Sequence, residues 1–492
     1  MTQNSLSVTR DPSPLTPYTR SIAEWEGTTY FLVRTASGGK QLAILGDAHG
    51  FEGQKEAPGR SSPVLCPLTD ANAAVLRERL PWLRPQTLGL RQVAGCGDRL
   101  GLATPGHVRA VRRFTLAPIF AQQSVRENAR TKRSPQQVLD DAMWGVFQEG
   151  WREPWGADAD HLKTTEDIDS FVATGYSFYT VDPGDHVDNQ AHSAPQEVLE
   201  TKWAALPWDA LSDSPAAMST RYLGRHFQAE GLDLQFDPTS LLRAAGKYSR
   251  AILHVSRMYH HLAARMGQRP FELEVSVDET ETPTSPLEHW FIASELRRLG
   301  VQWVSLAPRY IGAFEKSADY IGDLGAFETE FARHAAIART LGPYKLSLHS
   351  GSDKFSIYPL VARHAGALVH LKTAGTSYLE ALRVAAVADP VLFREILAFA
   401  RPRFATDRAT YHVSADVARV PEPEALRDAE LSTVLDQFDG REVLHITFGS
   451  VVDHFGPRLK DMLDRNEEAY YVALEAHFVK HLALFAKDSV CC

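Results

Sequence analysis

Short apolar runs alternate with longer amphipathic stretches, and this pattern recurs eight times between residues 88 and 387. The runs are LGLRQVAG (88–95), FTLAPIFAQQS (114–124), WGADADH (155–161), FYTVDPGDH (178–186), FELEVSVDE (271–279), VQWVSLAP (301–308), KLSLHS (345–350) and ALVHLKT (367–373). Strands that alternate with helices pair in parallel, so eight such units predict an α/β fold with a closed (β/α)₈ TIM-type barrel. An open doubly wound sheet is the alternative.

Ser-Pro pairs mark the starts of two of the helices between these strands. Ser134-Pro135 opens a predicted helix that runs to Gly150, and Ser285-Pro286 opens another that runs to Gly300, because serine caps a helix and proline suits its first turn. Further helices are predicted over 326–341, 356–366 and 376–387.

Three segments depart from the barrel pattern. TTYFLVRT and KQLAILG, between residues 28 and 46, predict a β-hairpin in an N-terminal extension. Residues 187–270 are predicted to form a helical insertion. The predicted domains are therefore 1–85, a barrel over 86–388, and a mainly helical region over 389–492 that packs on the barrel. Within that last region, VLHITFGS (443–450) reads as one further strand.

Composition and charge narrow the function classes. The 492 residues carry 52 Lys and Arg against 61 Asp and Glu, a net charge of −9, and 44% are hydrophobic. These values exclude a disordered chain, and the acidic balance argues against nucleic acid as a partner. No apolar run approaches the roughly 20 residues that span a bilayer, so no membrane partner is expected. Few cysteines and no apolar leader favour the cytoplasm, and a homo-oligomer is compatible with the sequence.

Ionisable residues are concentrated where the predicted barrel strands end. A TIM-type barrel carries its active site at the carboxyl ends of its strands. The candidates there are Asp98, Arg99, Arg126, Asp158, Asp160, His161, Asp182, Glu272, Glu274, Asp278, Glu279, Arg309, His349, Asp353, Lys354, His370 and Lys372, together with the neutral amides Gln122 and Gln123. Because burying an unpaired charge is costly, we expect these groups to pair with one another or with a metal ion.

Strand parity and barrel layering place some of these groups together. Glu274 and His349 belong to the fifth and seventh strands, which contribute side chains to the same barrel layer, so we expect them to meet. His161 has the opposite parity to Asp158 and Asp160, which makes it the weakest of the metal-ligand candidates. Imidazole and carboxylate together suit Mn²⁺, Fe²⁺, Co²⁺, Ni²⁺ or Zn²⁺ more than Ca²⁺ or Mg²⁺.

A nucleotide cofactor is not expected. The run from Gly95 to Gly101 has one residue too many for the G-x-G-x-x-G pattern that binds dinucleotides, and no Gly-Lys-Ser/Thr sequence is present. The sequence therefore predicts an enzyme that uses a divalent metal ion and no nicotinamide.

Several long motifs of this chain resemble those of the tagaturonate epimerase family of sugar-acid metabolism, over roughly residues 85–455. They are GDRLGLATPGH (97–107), FAQQSVREN (120–128), GADADHLK (156–163), VSVDETETPTSP (275–286), KLSLHSGSDKFSIYP (345–359) and HLKTAGTSYLEALR (370–383). The resemblance implies a metal-dependent epimerase that interconverts D-tagaturonate and D-fructuronate. It also implies related activity on D-fructose and D-tagatose by C4 epimerisation.

With that resemblance, the candidate residues receive roles. The expected metal ligands are His161, Glu274, His349 and His370, and the expected acid–base residues are Asp160 and Lys372. The expected substrate-binding residues are Asp98, Arg99, Gln123, Arg126, Arg309, Asp353 and Lys354. Among these, Arg99, Arg126 and Lys354 are the candidates for the substrate carboxylate. For inversion at C4 a retro-aldol route is favoured, because the C4 proton is not acidic; direct proton exchange at C3 stays open.

Two other function classes remain at this stage. A metal-dependent ketose aldolase or sugar isomerase on a similar barrel would use the same kinds of residue, and three-carbon products or an aldose product would identify it. A carbohydrate-binding protein without turnover is the non-enzyme alternative. It is disfavoured because ionisable groups at barrel strand ends usually mark catalysis.

Overall fold

The computed structural model describes residues 15–35, 38–55, 62–373 and 375–488. The chain divides into two compact units. One comprises Met1–Arg84 and Met143–Glu153, and the other comprises Pro85–Ala142 and Pro154–Cys492. The predicted boundary at residue 388, inside the second unit, stays a prediction.

The first unit is built on an antiparallel sheet. Its strands are Thr16–Pro17, Ala23–Trp25, Thr28–Arg34, Lys40–Leu45, Gln54–Lys55 and Val64–Cys66. The predicted hairpin is present, with Thr29 opposite Leu45 and Tyr30 opposite Ile44. Tyr30 and Ile44 are buried, as alternating apolar side chains on one face of a sheet should be.

The second unit contains the predicted closed barrel of eight parallel strands. They are β1 (Val93–Cys96), β2 (Ala117–Ser124), β3 (Gly156–Leu162), β4 (Phe178–Val181), β5 (Glu272–Ser276), β6 (Ser305–Ala307), β7 (Lys345–Leu348) and β8 (Val369–Thr373). They follow one another around the barrel in chain order, and β8 closes on β1 with Lys372 opposite Gly95. Nearly every strand residue is buried, because side chains fill the barrel inside and helices cover it outside.

Helices make up most of the remaining described chain. Their bounds are Asp70–Arg79, Thr104–Val111, Val125–Thr131, Pro135–Gln148, Thr165–Val172, Gln196–Ala204, Pro215–Tyr222, Pro238–Met266, Pro286–Arg298, Leu324–Leu341, Tyr358–Ala365, Thr376–Ala388, Pro390–Asp407, Phe438–Ile446, Phe448–Arg465 and Glu467–Ala483. The Pro286–Arg298 helix begins where Ser285 predicts it. The Ser285 hydroxyl accepts the Glu288 N–H at 3.2 Å, and the Glu288 carboxylate accepts the Ser285 N–H at 2.7 Å. Within the described ranges, no helix is long and apolar enough to cross a membrane.

The predicted helical insertion contains three helices and also a β-hairpin that the sequence analysis did not predict. Its strands, His226–Ala229 and Leu232–Gln235, pair in antiparallel register. Glu230 and Gly231 join them with positive φ angles of 47° and 87°. Two positive φ angles at a two-residue turn match the twist of a hairpin. The pair Glu230-Gly231 is therefore the feature of the sequence that indicates this turn.

The predicted strand VLHITFGS is wrong. These residues form the end of the Phe438–Ile446 helix and the start of the Phe448–Arg465 helix. Val443, Leu444 and Phe448 are buried. A short apolar run can fill a strand or the buried face of a helix, and periodicity cannot separate the two over eight residues.

Candidate functional site

A cavity of about 410 Å³ lies at the carboxyl end of the barrel. Its lining includes residues that follow β2, β5, β6 and β7, among them Arg126, Asp278, Arg309 and His349. A narrower pocket shares part of this lining and reaches Lys372 on β8. The site therefore occupies the end of the barrel where the sequence predicts it.

Lys372 is the centre of a buried charge network. Its Nζ lies 2.8 Å from Asp158 Oδ2, 2.6 Å from Asp160 Oδ1 and 2.8 Å from Glu274 Oε1. It also donates to Thr180 Oγ1 at 2.7 Å. Burial disfavours the ammonium, but the carboxylates outweigh burial and hold the pKa of Lys372 well above its ordinary value. Lys372 therefore stays protonated and neutralises part of the carboxylate charge.

Two histidines and an aspartate converge at the cavity, and we call His161, Asp278 and His349 the cavity cluster. One ligand atom of each lies within 4.8 Å of the other two. Asp278 Oδ1 is 3.2 Å from His349 Nδ1 and 3.8 Å from His161 Nε2. The second nitrogen of each ring contacts another carboxylate. His161 Nδ1 donates to Asp160 Oδ1 at 2.8 Å, and His349 Nε2 donates to Glu274 Oε1 at 2.7 Å.

His161 reaches this cluster through an irregularity in β3. The register with β4 shifts between Ala159 and Leu162, and His161 has a φ of 57°. A left-handed residue turns its side chain away from the direction that simple alternation assigns. His161 therefore joins the cavity although its parity differs from that of Asp158 and Asp160.

The cavity cluster fits a divalent transition-metal ion. It offers two imidazole nitrogens and one carboxylate oxygen, a donor set that suits such ions. The outer carboxylates, Asp160 and Glu274, fix the two rings, as the outer partners of ligating histidines commonly do. Burial lowers the pKa of His349, but the Asp278 and Glu274 carboxylates together outweigh burial and raise it to about 9. His349 is therefore protonated at neutral pH, and a metal ion bound by this ring would have to displace that proton.

Glu274 and His370, two of the predicted metal ligands, lie deeper in the barrel. Glu274 Oε2 accepts from His370 Nδ1 at 2.9 Å, while Oε1 accepts from His349. Burial lowers the pKa of His370 to about 4, so this ring is neutral. The structure does not bring either residue into the cavity cluster, and it places Glu274 where it orients His349.

Asp353, a predicted substrate-binding residue, lies in a second group with His477 and His481, which we call the buried cluster. Asp353 Oδ1 accepts from His477 Nε2 at 2.8 Å, and Oδ2 accepts from Arg441 at 2.8 Å. His481 Nε2 accepts the Asp353 N–H at 2.9 Å, and its Nδ1 donates to the His477 carbonyl at 3.0 Å. Both nitrogens of His481 are thus occupied by protein groups.

The neighbouring Lys354 is also directed away from the cavity. Its ammonium donates to the carbonyls of Glu315 at 2.7 Å, Ser352 at 3.1 Å and Ala318. Burial lowers its pKa to about 8. The structure therefore gives Lys354 backbone partners instead of a place in the cavity lining.

Two further predicted substrate-binding residues support loops. The Asp98 carboxylate accepts the backbone N–H groups of residues 100, 101 and 103 at 2.7–3.1 Å. The Gln123 side chain donates to Thr131 and accepts from Arg133, both at 3.0 Å. Neither residue is among those that line the two cavities described above.

The predicted arginines differ in how they are already paired. Arg99 lines the narrower pocket, but it is buried against Glu127 at 2.7 Å and its guanidinium stacks on Phe448 at 3.7 Å. Arg126 lines both spaces and donates to Glu279 at 3.0 Å. Arg309 lines the larger cavity.

Sequence reasoning gave two residues of the site no role and missed a third. Asp278 and Glu279 were among the strand-end candidates, but nothing in the pattern singled them out, because they lie beyond the end of β5. Lys316 was not a candidate, since it lies nine residues after the end of β6 in a loop without a periodic signal. Its ammonium donates to Ser350 Oγ at 2.6 Å, and burial followed by the nearby charge of Arg126 lowers its pKa.

The chain matches known proteins over nearly its whole length. The family model described as tagaturonate epimerase matches residues 18–485. A tagaturonate/fructuronate epimerase of Thermotoga maritima is 44% identical over 473 residues, which cover 95% of this chain and 96% of that protein. Crystal structures of a fructuronate-tagaturonate epimerase from Cohnella laeviribosi, native and with glycerol, match with a TM-score of 0.90 and 39% identity over 96% of both chains.

Proposed function

The chain belongs to the tagaturonate epimerase family, and from that premise we propose that it interconverts D-tagaturonate and D-fructuronate with a divalent metal ion held by the cavity cluster. One observation carries the metal assignment. His161, Asp278 and His349 direct three ligand atoms to one point of the cavity, and carboxylates of Asp160 and Glu274 hold the two rings from behind.

A divalent ion in this place would stabilise negative charge that develops on the ketone oxygen and the adjacent hydroxyl of a ketose. The protein's own residues account for the protons. Asp160 is the proton acceptor in this proposal, because it lines the narrower pocket beside His161. The charges of His161 and Lys372 outweigh burial and hold its pKa well below its ordinary value, so the group is ionised. Lys372, which keeps its proton, is the hydrogen-bond donor beside it.

The proposed reaction is a retro-aldol cleavage followed by aldol addition. Asp160 takes the proton of the C4 hydroxyl, the C3–C4 bond breaks, and its electron pair forms the enolate of the fragment that carries the ketone. The C4 fragment becomes an aldehyde and rotates. The C3–C4 bond then forms on the opposite face of the aldehyde, and the new C4 alkoxide recovers the proton from Asp160. No atom or electron is gained or lost.

The test is an assay with two substrates and one variant. Protein stripped of metal and reloaded with Mn²⁺, Ni²⁺ or Zn²⁺ is given D-fructuronate or D-fructose, and the products are separated by chromatography. We expect metal-dependent formation of D-tagaturonate, and a loss of at least about 1,000-fold in His349→Ala, since that variant lacks a ligand. Full activity of His349→Ala with a normal metal content would contradict the assignment.

The assay also separates the alternatives. Accumulation of three-carbon products would indicate an aldolase, and an aldose product would indicate an isomerase. Faster conversion of D-fructose than of D-fructuronate would make the neutral ketose the substrate.

A further inference from the structure

We propose that Arg309 binds the substrate carboxylate and thereby sets the preference for a sugar acid over a neutral ketose. This inference rests on the proposed function and deepens it. In D-fructuronate and D-tagaturonate the carboxylate is C6, at the other end of the carbon chain from the ketone. A site that holds the ketone end at the cavity cluster therefore needs a cation elsewhere on the same cavity.

The register of the barrel places Arg309 beside the cavity cluster. Ser276 at the end of β5 lies opposite Ala307 at the end of β6. Asp278 and Arg309 each follow two residues later, and both line the 410 Å³ cavity with His349. One ligand in this cavity can therefore contact both the cavity cluster and Arg309.

Arg309 also differs from the other predicted substrate-binding cations in its partners. Within the described residues, no hydrogen bond or ion pair joins its guanidinium to another group, and its buried Nε has no acceptor. A buried donor without an acceptor costs free energy that a bound carboxylate would recover. The guanidinium fork suits a carboxylate because it can donate two parallel hydrogen bonds.

The other cationic candidates are engaged. Arg99 is paired with Glu127, and Lys354 donates to backbone carbonyls. Arg126 reaches the cavity and its buried Nε also lacks an acceptor, but a carboxylate that approached it would meet Glu279, which already accepts from its guanidinium at 3.0 Å. Lys316 lines the same cavity and donates to the neutral Ser350 hydroxyl, so it adds positive charge near Arg309.

The test compares two substrates in matched arginine variants. In Arg309→Met we expect kcat/KM for D-fructuronate to fall about 10- to 100-fold, mainly through KM, because hydrogen bonds to a charged group are lost. The rate with D-fructose should change less than about twofold, and Arg309→Lys should lie between the wild type and Arg309→Met. Arg126→Met is the matched control, and it should change both substrates by a similar factor.

Several outcomes would overturn the inference. They are an equal loss on both substrates in Arg309→Met, no loss on D-fructuronate, or a selective loss in Arg126→Met instead. Thermal unfolding of each variant identifies a loss that comes from misfolding, in which case Arg309→Lys and Arg309→Gln carry the comparison.

A binding measurement keeps the inference separate from the proposed function. If the wild type converts neither sugar, the proposed function has failed, and calorimetric titration with D-glucuronate and D-glucose still tests Arg309. We expect the wild type to bind the acid more tightly than the neutral sugar and Arg309→Met to lose that difference. Equal binding of the two sugars by the wild type would contradict the role of Arg309.

Discussion

The cavity cluster and the buried cluster contain the same residue types, two histidines and one aspartate each, but their side chains have different partners. In the cavity cluster, one nitrogen of each ring contacts the outer carboxylate of Asp160 or Glu274, and the other lies near the Asp278 carboxylate. In the buried cluster, His481 uses both nitrogens for backbone groups and Asp353 is shared between His477 and Arg441. The two clusters therefore share residue types but differ in the partners that their nitrogen atoms contact.

The pKa values of the histidines also differ between the two clusters. Around His349, Asp278 and Glu274 together outweigh burial and raise the imidazole pKa to about 9. Around His481, burial dominates and lowers the imidazole pKa to about 4. At neutral pH the His349 ring is therefore protonated and the His481 ring is neutral. The following predictions test this contrast.

The largest expected loss in the free energy of unfolding is that of Lys372→Met. This change removes the ammonium that contacts Asp158, Asp160 and Glu274 and leaves buried carboxylates without their counter-charge. Breaking a buried ion pair on one side typically costs about 3–5 kcal/mol, and we expect a loss of that size in the free energy of unfolding. Denaturant unfolding measures it.

Lys163→Met is the matched control. Lys163 also lies beside two carboxylates, Asp182 at 3.7 Å and Asp185 at 3.0 Å, but its side chain is 42% exposed. An exposed pair contributes about 0–1 kcal/mol, so this variant should be nearly as stable as the wild type. Equal losses in the two variants would refute the view that the Lys372 network supports the site.

A smaller, pH-dependent effect is expected for His481→Gln. His481 stays neutral in the folded chain because burial lowers its pKa to about 4, whereas in the unfolded chain it titrates near 6.5. The unfolded state therefore binds more protons between pH 6.5 and 4, and stability falls as the pH falls through that range. This histidine should contribute about 2 kcal/mol of the stability lost between pH 7 and pH 5.

The measurement is the free energy of unfolding of metal-free protein at the two pH values. The pH-dependent loss should shrink in His481→Gln by roughly that amount. His226→Gln changes an exposed histidine of the insertion hairpin and should behave like the wild type. An unchanged pH dependence in His481→Gln would show that His481 does not couple to folding.

The barrel could be predicted from the sequence because its signal is repeated and local. Each buried strand is a short apolar run, and each is followed by an amphipathic helix, two of which have a Ser-Pro start such as Ser285-Pro286. The strand predicted at 443–450 failed because that region has no such context. Its apolar side chains instead face the interior from two consecutive helices.

The site was harder to predict, because its geometry depends on departures from regular strands. Alternation correctly placed Asp158 and Asp160 on one face, where both contact Lys372. Alternation gave His161 the lowest rank among the metal-ligand candidates. His161 has a left-handed backbone at an irregularity of β3, and no residue type in the sequence indicates that irregularity. Alternation also could not select Asp278 or Lys316, which lie in loops that only the folded barrel brings to the cavity.

The most direct test of the central claim is the amount of metal bound by each chain. Wild type, Asp278→Ala and His477→Gln, each confirmed as folded by circular dichroism, are loaded with Zn²⁺, dialysed and analysed for metal. The account predicts one ion per chain in the wild type and in His477→Gln, and none in Asp278→Ala. Retention of the ion by Asp278→Ala, or its loss from His477→Gln, would contradict it.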